Sequence, residues 1–262
     1  MNHLKALLPP ILSTRNKYQA GYCLGFAGSH RYPGAAKLAG LAALRSGAGI
    51  VRLFSLEEIA ELPFELIAQT WEKTEWDQEL QRAQALFVGP GLGKSEKTDA
   101  WLKCVLPTID KKCVIDADAL QPNLVFPKGS LLTPHRGEAL RLLGLQRPPA
   151  EEKLLDLCQE FCRKRKVVIV LKGAPTYVCD GEQQVKVSFG DPGMATAGTG
   201  DVLTGVLAGL LAQGLTPFNA GVLGASLHGL AGEIVAKELG SYSMIASDLL
   251  HGLHQAFKQI SH

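Results

Sequence analysis

The chain has 262 residues, 46% of them hydrophobic, and a formal net charge of +2. That length suits one large α/β domain or two small ones with a sizeable core. The near balance of charge gives no footprint for nucleic acid or an anionic membrane surface. No apolar run reaches the ~18 residues of a membrane span. "MNHLKALLPPILSTRNK" at the N-terminus lacks the long apolar core of a signal peptide. The expectation is a cytoplasmic, reduced protein. Cys158 and Cys162, four apart on one helix face, have the spacing of a metal pair, but no second Cys/His pair supports one, so buried thiols are expected.

Strand-like and helix-like patterns alternate along the chain. "YCLGFAG" (22–28) reads as a buried strand, and Pro33-Gly34 opens a small-residue helix ending near Gly47. "IVRLFS" is the next strand, and "ALFVGPGLG" (85–93) is a strand running into a glycine loop. "CVIDADAL" (113–120) places acids at the C-terminal end of a strand. "SLLTPHRGEALRLLG" (130–144) reads as strand, turn and short helix closed by Gly144. "EEKLLDLCQEFCRKRK" is a helix with acids first and bases last, as the helix dipole favours. "VVIVLKG" (167–173) has the continuous apolar character of a central parallel strand. Asp180-Gly181 then signals a hairpin, Thr216-Pro217 an N-cap and first turn, and a last helix follows Ser247. No linker divides the chain, so the expectation is one α/β domain over residues 1–262, mostly parallel with a hairpin appended.

The informative stretch is "GDPGMATAGTGDVLTGVLAGLLAQG" (190–214), where Gly198, Gly200 and Gly205 bracket Asp201. Val202, Leu203, Val206, Leu207, Leu210 and Leu211 have helical spacing, so a helix is expected to begin near Gly200 or Asp201. Its first N–H groups lack internal partners and carry the positive end of the dipole. With glycines allowing close approach, they form an anion site suited to phosphate. Aspartate is also among the best N-caps, and capping alone explains a lone carboxylate. It does not explain the density of small residues from Gly193 to Gly200. If phosphate occupies the amides, Asp201 is free to take a proton from a hydroxyl attacking phosphorus. Neither a Walker loop nor the Rossmann fingerprint is present.

"GDPGMATAGTGDVLTG" resembles the signature of the NAD(P)H-hydrate dehydratases of the ribokinase-like superfamily. Supporting segments occur in the same order: "AGSHRYPGAAKLAGLAALRSGAGIVRL", "VGPGLG", "VIDADAL", "LLTPHRGEALRLLG" and "VVIVLKGAPTYV". The resemblance implies a three-layer α/β/α sandwich with a mostly parallel central sheet, and leaves no room in these 262 residues for the epimerase domain that some relatives carry. It also implies repair of hydrated NADH and NADPH. The C6 hydroxyl, a poor leaving group, is phosphorylated by ADP and then expelled as phosphate, restoring the reduced ring and releasing AMP. Magnesium is expected with the nucleotide phosphates, and a homotetramer from the family likeness.

By the same resemblance Asp201 is the catalytic base and touches the hydrated substrate, with Ala35, Gly91 and His135 as further substrate contacts. Lys172, Gly173, Ala174, Pro175 and Thr176, with Gly198, Thr199 and Gly200, form the nucleotide site. Each has a plainer explanation beside it: helix packing for Ala35, a structural histidine for His135, a solvated strand end for Lys172. Glu138 stands where many ribokinase relatives have the acid of Asn-x-x-Glu near magnesium, but His135 replaces the Asn, so the metal ligands are not assigned. Asp116 and Asp118 suit turn capping as well as a site, and carry no catalytic assignment. Two departures from the family pattern are "NKYQAG" before the first strand and Asp191 where Asn is usual. The rival readings are a small-molecule hydroxymethyl or hydroxyethyl kinase of the same superfamily and a nucleotide-binding regulator without turnover.

Overall fold

Strands with apolar side chains on both sides of the pleat force both faces of the sheet to be covered. The computed structural model describes residues 2–71 and 73–261. Its strands are β1 (Tyr22–Phe26), β2 (Ile50–Ser55), β3 (Ile67–Thr70), β4 (Ala85–Val88), β5 (Lys112–Ile115), β6 (Leu131–Leu132), β7 (Val168–Leu171), β8 (Thr176–Cys179) and β9 (Gln184–Val187). They form one sheet in the order β3-β2-β1-β4-β5-β6-β7-β8-β9. Every neighbouring pair from β3 to β7 is parallel, and β8 and β9 close the edge antiparallel.

The helices are α1 (Asn2–Lys5), α2 (Pro33–Arg45), α3 (Lys73–Arg82), α4 (Glu96–Val105), α5 (Arg136–Leu142), α6 (Glu151–Arg165), α7 (Thr199–Ala212), α8 (Pro217–Leu239) and α9 (Asp248–Ser261). The pleat sorts the core into two layers. Cys23 and Val114 face α2, α7, α8 and α9, whereas Leu24, Phe26, Cys113 and Ile115 face α3, α4, α5 and α6. This is the expected three-layer sandwich. Among the described residues no helix is long and apolar enough to cross a membrane.

Most elements fall where the periodicity places them. Thr216 caps α8 through a hydrogen bond from the Asn219 amide, with Pro217 in the first turn. The hairpin forms, but its turn spans Asp180 to Gln183, with Asp180 Oδ1 accepting from the amides of Glu182 and Gln183. Cys158 and Cys162 are buried on α6, and the Cys162 thiol lies 3.8 Å from that of Cys179. Helix α7 starts at Thr199, one to two residues earlier than its apolar spacing indicates. The alternation did not single out β3, α3 or α4. The strand is short and half exposed, and α3 is polar over most of its length.

Two features of this frame position a site. The strand order reverses between β1 and β4, and the loops at the carboxyl ends of these strands diverge there, leaving a crevice. In addition, α2 and α7 pack with their backbones nearly touching. A Cβ on Gly205 would overlap the carbonyl oxygen of Ala39 and stand 2.7 Å from Ala42 Cβ. The N-terminal turns of both helices are thereby held at the crevice.

Candidate functional site

The N-terminal turn of α7 is built to leave its amides open. Gly198, the N-cap, has φ +96°, a left-handed conformation that favours glycine, and a Cβ there would stand 2.7 Å from Leu38 Cδ1 and 2.9 Å from Ala246 Cβ. No side chain caps the turn. The first intrahelical bond runs from Val202 N to Gly198 O, so the amides of Thr199, Gly200 and Asp201 have no helical partner. The Thr199 hydroxyl instead donates to the carbonyls of Met194 and Thr196, both at 3.0 Å, and so gathers in the small-residue loop. Asp201 therefore does not cap this helix. It is the third helical residue, and its carboxyl is pushed up to about 7, first by burial and then by the negative charge of Asp116, with Lys172 opposing and Asp118 adding to the rise. A carboxyl so poised exchanges a proton near neutrality.

Behind this turn lies a buried charge cluster. Lys172, just beyond β7, donates to Asp116 Oδ1 at 2.9 Å and lies 3.9 Å from Glu138 Oε2. The other Asp116 oxygen accepts from the Thr204 hydroxyl at 2.7 Å. Burial works against the Lys172 charge, but Asp116 and Glu138 outweigh it, and the ammonium is held above its ordinary value. Glu138 also accepts from the amide of His135.

Two cavities open on opposite sides of the turn. One, of about 660 Å³, is lined by Lys172, Gly173, Ala174, Pro175 and Thr176 together with Thr199 and Gly200. Phe189, Met194, Ala225 and His228 complete its largely apolar wall. Burial pushes His228 down to about 4, so its ring is neutral at physiological pH, and Nε2 donates to the Thr199 carbonyl at 2.9 Å. The second cavity, of about 870 Å³, occupies the crevice between β1 and β4. Ala35, Gly91 and Asp201 line it, with Arg31, Tyr32 and Lys94. Gly200 thus faces one cavity and Asp201, the next residue, faces the other.

Not every residue named from the sequence lines these walls. Gly198 shapes the turn from outside both cavities. His135 lines neither: its Nδ1 accepts from the amides of Gly137 and Glu138 and caps α5, while its backbone pairs with Lys172. Sequence reasoning left Asp116, Thr204 and His228 without a role. Asp116 carried one signal, a carboxylate directly after an apolar strand. Among the described residues no three His, Cys, Asp or Glu side chains converge as a metal-ligand set. Asp116 is already committed to Lys172 and Thr204, so these residues do not fit a resident magnesium ion.

Comparison with known proteins gives the geometry a context. The profile of a family described as NAD(P)H-hydrate dehydratase matches residues 24–255. The bifunctional NAD(P)H-hydrate repair enzyme Nnr of Moorella thermoacetica is 37% identical over 98% of this chain, which covers 53% of that protein. The chain spans about half the length of this relative and of the same-named Escherichia coli protein. The ADP-dependent (S)-NAD(P)H-hydrate dehydratase of Bacillus subtilis is 32% identical over 98% of this chain and 96% of its own length. A crystal structure of the Bacillus subtilis ADP/ATP-dependent NAD(P)H-hydrate dehydratase, co-crystallised with ATP and Mg2+, superposes with a TM-score of 0.86 at 30% identity, covering 98% of this chain and 96% of that one.

Proposed function

The chain belongs to the NAD(P)H-hydrate dehydratase family, and from that premise we propose that it dehydrates the S epimer of hydrated NADH and NADPH at the expense of ADP. The observation that carries this reading is the single helical turn shared by two cavities, with amides at Gly200 for a phosphate donor and a carboxyl at Asp201 for a hydroxyl acceptor. The donor occupies the cavity of Lys172 to Thr176, its base against the apolar wall and its phosphates on the open amides of α7. The acceptor fills the larger cavity, whose volume of about 870 Å³ suits a dinucleotide better than a vitamin precursor. Arg31 and Lys94 supply positive charge for its phosphates. Ala35 and Gly91 leave room for it.

In the first step the C6 oxygen attacks the β-phosphorus of ADP, and its proton passes to Asp201. The bond from that phosphorus to the bridging oxygen breaks, and AMP leaves. Amides aimed at the transferring group, with Lys172 behind them, offset the charge that develops on it. In the second step the nitrogen lone pair of the ring expels phosphate from C6. Loss of a proton from C5 then restores the C5=C6 double bond. Magnesium accompanies the nucleotide phosphates rather than a protein ligand set, and the protein acts in the cytoplasm as a homotetramer.

Incubation with ADP and hydrated NADH tests the reading: the near-ultraviolet absorbance of the reduced ring is expected to return as AMP accumulates. No return with either ADP or ATP rejects it, and a stable phosphorylated product identifies a small-molecule kinase instead. A separate expectation concerns Ala35. Its methyl group borders the larger cavity alone, so Ala35→Phe should abolish binding of the hydrated dinucleotide while ADP binding, measured by calorimetry, stays unchanged. Equal loss of both ligands would show that the cavities are not separate sites.

A further inference from the structure

Asp116 is 1% exposed, and each of its oxygens is engaged by a different element. The ammonium of Lys172 reaches Oδ1 from the end of β7, and the hydroxyl of Thr204 reaches Oδ2 from α7. Thr204 is fully buried and lies three residues beyond Asp201, on the same side of the helix. One carboxylate at the end of β5 therefore ties together the strand that ends at the nucleotide cavity and the helix that carries the base. The tie also fixes where the lysine charge sits. A Cβ on Gly200 would stand 3.3 Å from Lys172 Nζ, so the ammonium lies against Gly200 in the open first turn of α7.

We propose that Asp116 is a positioning residue for phosphoryl transfer: it holds the Lys172 ammonium beneath the transferring phosphate and withholds it from Asp201, which stays a competent base. The inference rests on the role given to Asp201 under the proposed function. A clasp between strand and helix would need only neutral hydrogen bonds, and a buried ion pair is weak evidence for stability, because a neutral or apolar replacement is often as stable. The charge needs another reason, and the geometry supplies one. Lys172 is the cation set among Asp116, Glu138 and Asp201, and it makes its short contact with Asp116. Were it to pair directly with Asp201, the base would be neutralised and its proton affinity would collapse.

The other charged groups around Asp201 do not duplicate this arrangement. Asp118, on the turn after β5, accepts from the Gly93 amide and adds a smaller push in the same direction as Asp116. Glu138, from α5, stands behind the lysine. His228, from α8, is neutral near pH 7 and faces the nucleotide side. Across the larger cavity stand His30, Arg31, Glu57 and Lys94, on loops rather than packed against the turn.

The test is the pH dependence of kcat at saturating ADP and hydrated NADH, in wild type, Asp116→Asn and Lys172→Met. Wild type is expected to lose activity in an acid limb near neutrality. In Asp116→Asn the lysine is released toward Asp201, so the limb should move down by about one pH unit. At pH 8 kcat should fall by ~10-fold or more as the base weakens, with little change in either KM. Lys172→Met leaves Asp116 uncompensated, and its limb should move up. A merely structural Asp116 would change melting temperature and leave the limb of Asp116→Asn in place, and that result overturns the proposal. If Asp116→Asn does not fold, Lys172→Met decides: a limb unmoved or lowered overturns it. Thr204→Val should lower kcat without moving the limb, and Thr204→Ser should restore it. A shifted limb in Thr204→Val, or no rescue by serine, removes the part given to the helix tie. No turnover in wild type sinks the proposed function and this inference with it, whereas wild-type turnover with unmoved limbs sinks this inference alone.

Discussion

Asp201→Asn is expected to cut turnover by ~10²- to 10⁴-fold while leaving ADP affinity unchanged. Asparagine keeps the shape of the side chain and removes its capacity to accept a proton. The amides proposed to bind phosphate belong to the backbone of Thr199, Gly200 and the residue at 201 itself, and they survive the change. Single-turnover assays with calorimetric ADP binding separate the two effects, and retained turnover would defeat the role of the carboxylate. The same substitution should stabilise the protein at neutral and alkaline pH. The folded-state value of about 7 lies above the ordinary aspartate value of 3.8, so the folded protein binds this proton more tightly than the unfolded chain does. Stability associated with it is fully present below about pH 4 and is lost as pH rises to about 7. A neutral amide in place of the acid avoids that loss, so the variant should melt several degrees above wild type at pH 8 and level with it near pH 4. A site that gains stability when its chemistry is removed is a familiar compromise between function and folding.

Gly205→Val should be the most damaging change outside the cavities. The new side chain would meet the backbone carbonyl of Ala39 and the methyl group of Ala42, and neither can rotate away. Overpacking of this kind costs about 3 kcal/mol, a fall of ~10 °C in melting temperature for a chain of this size. Folded molecules should also be poor catalysts, because prying α7 from α2 moves Asp201 away from Ala35. Both residues line the larger cavity from opposite helices. Thermal unfolding and kcat measured on the soluble fraction check the two parts. Wild-type melting would show that the helices separate freely, and wild-type kcat would show that their spacing does not set the site.

The sequence made the central architecture legible where pattern and length agree. "VVIVLKG" could be placed as an interior strand because four consecutive residues, Val168 to Leu171, are buried on both faces. Helix α7 was legible because its apolar residues recur with helical period. Its exact start was not, because Gly198 supplies a positive φ and an N-cap with no side-chain signature. The segments β3 and α3 were missed for a physical reason: each is exposed or polar enough that burial leaves no period in the sequence. Within the site, Ala35, Gly91 and Asp201 line one cavity and the Lys172–Thr176 segment lines the other, since short loops after parallel strands must emerge at one end of the sheet. The pairing of Asp116 with Lys172 spans 56 residues and joins the ends of β5 and β7, and no local pattern encodes it. His135 shows the reverse limitation: its position beside a helix was readable, but not that its ring would serve that helix's own amides.

The antiparallel hairpin closing the sheet edge has an implication for how such a protein can diverge. Strands β8 and β9 and the segment after them supply Thr176, Lys186 and Phe189 to the cavity that begins at Lys172 and contribute nothing to the crevice between β1 and β4. On the proposed function, donor selection and acceptor selection are thus inherited on separable stretches of polypeptide. On that reading, drift in the hairpin can retune which nucleoside phosphate is consumed while the hydrated coenzyme that is accepted stays the same.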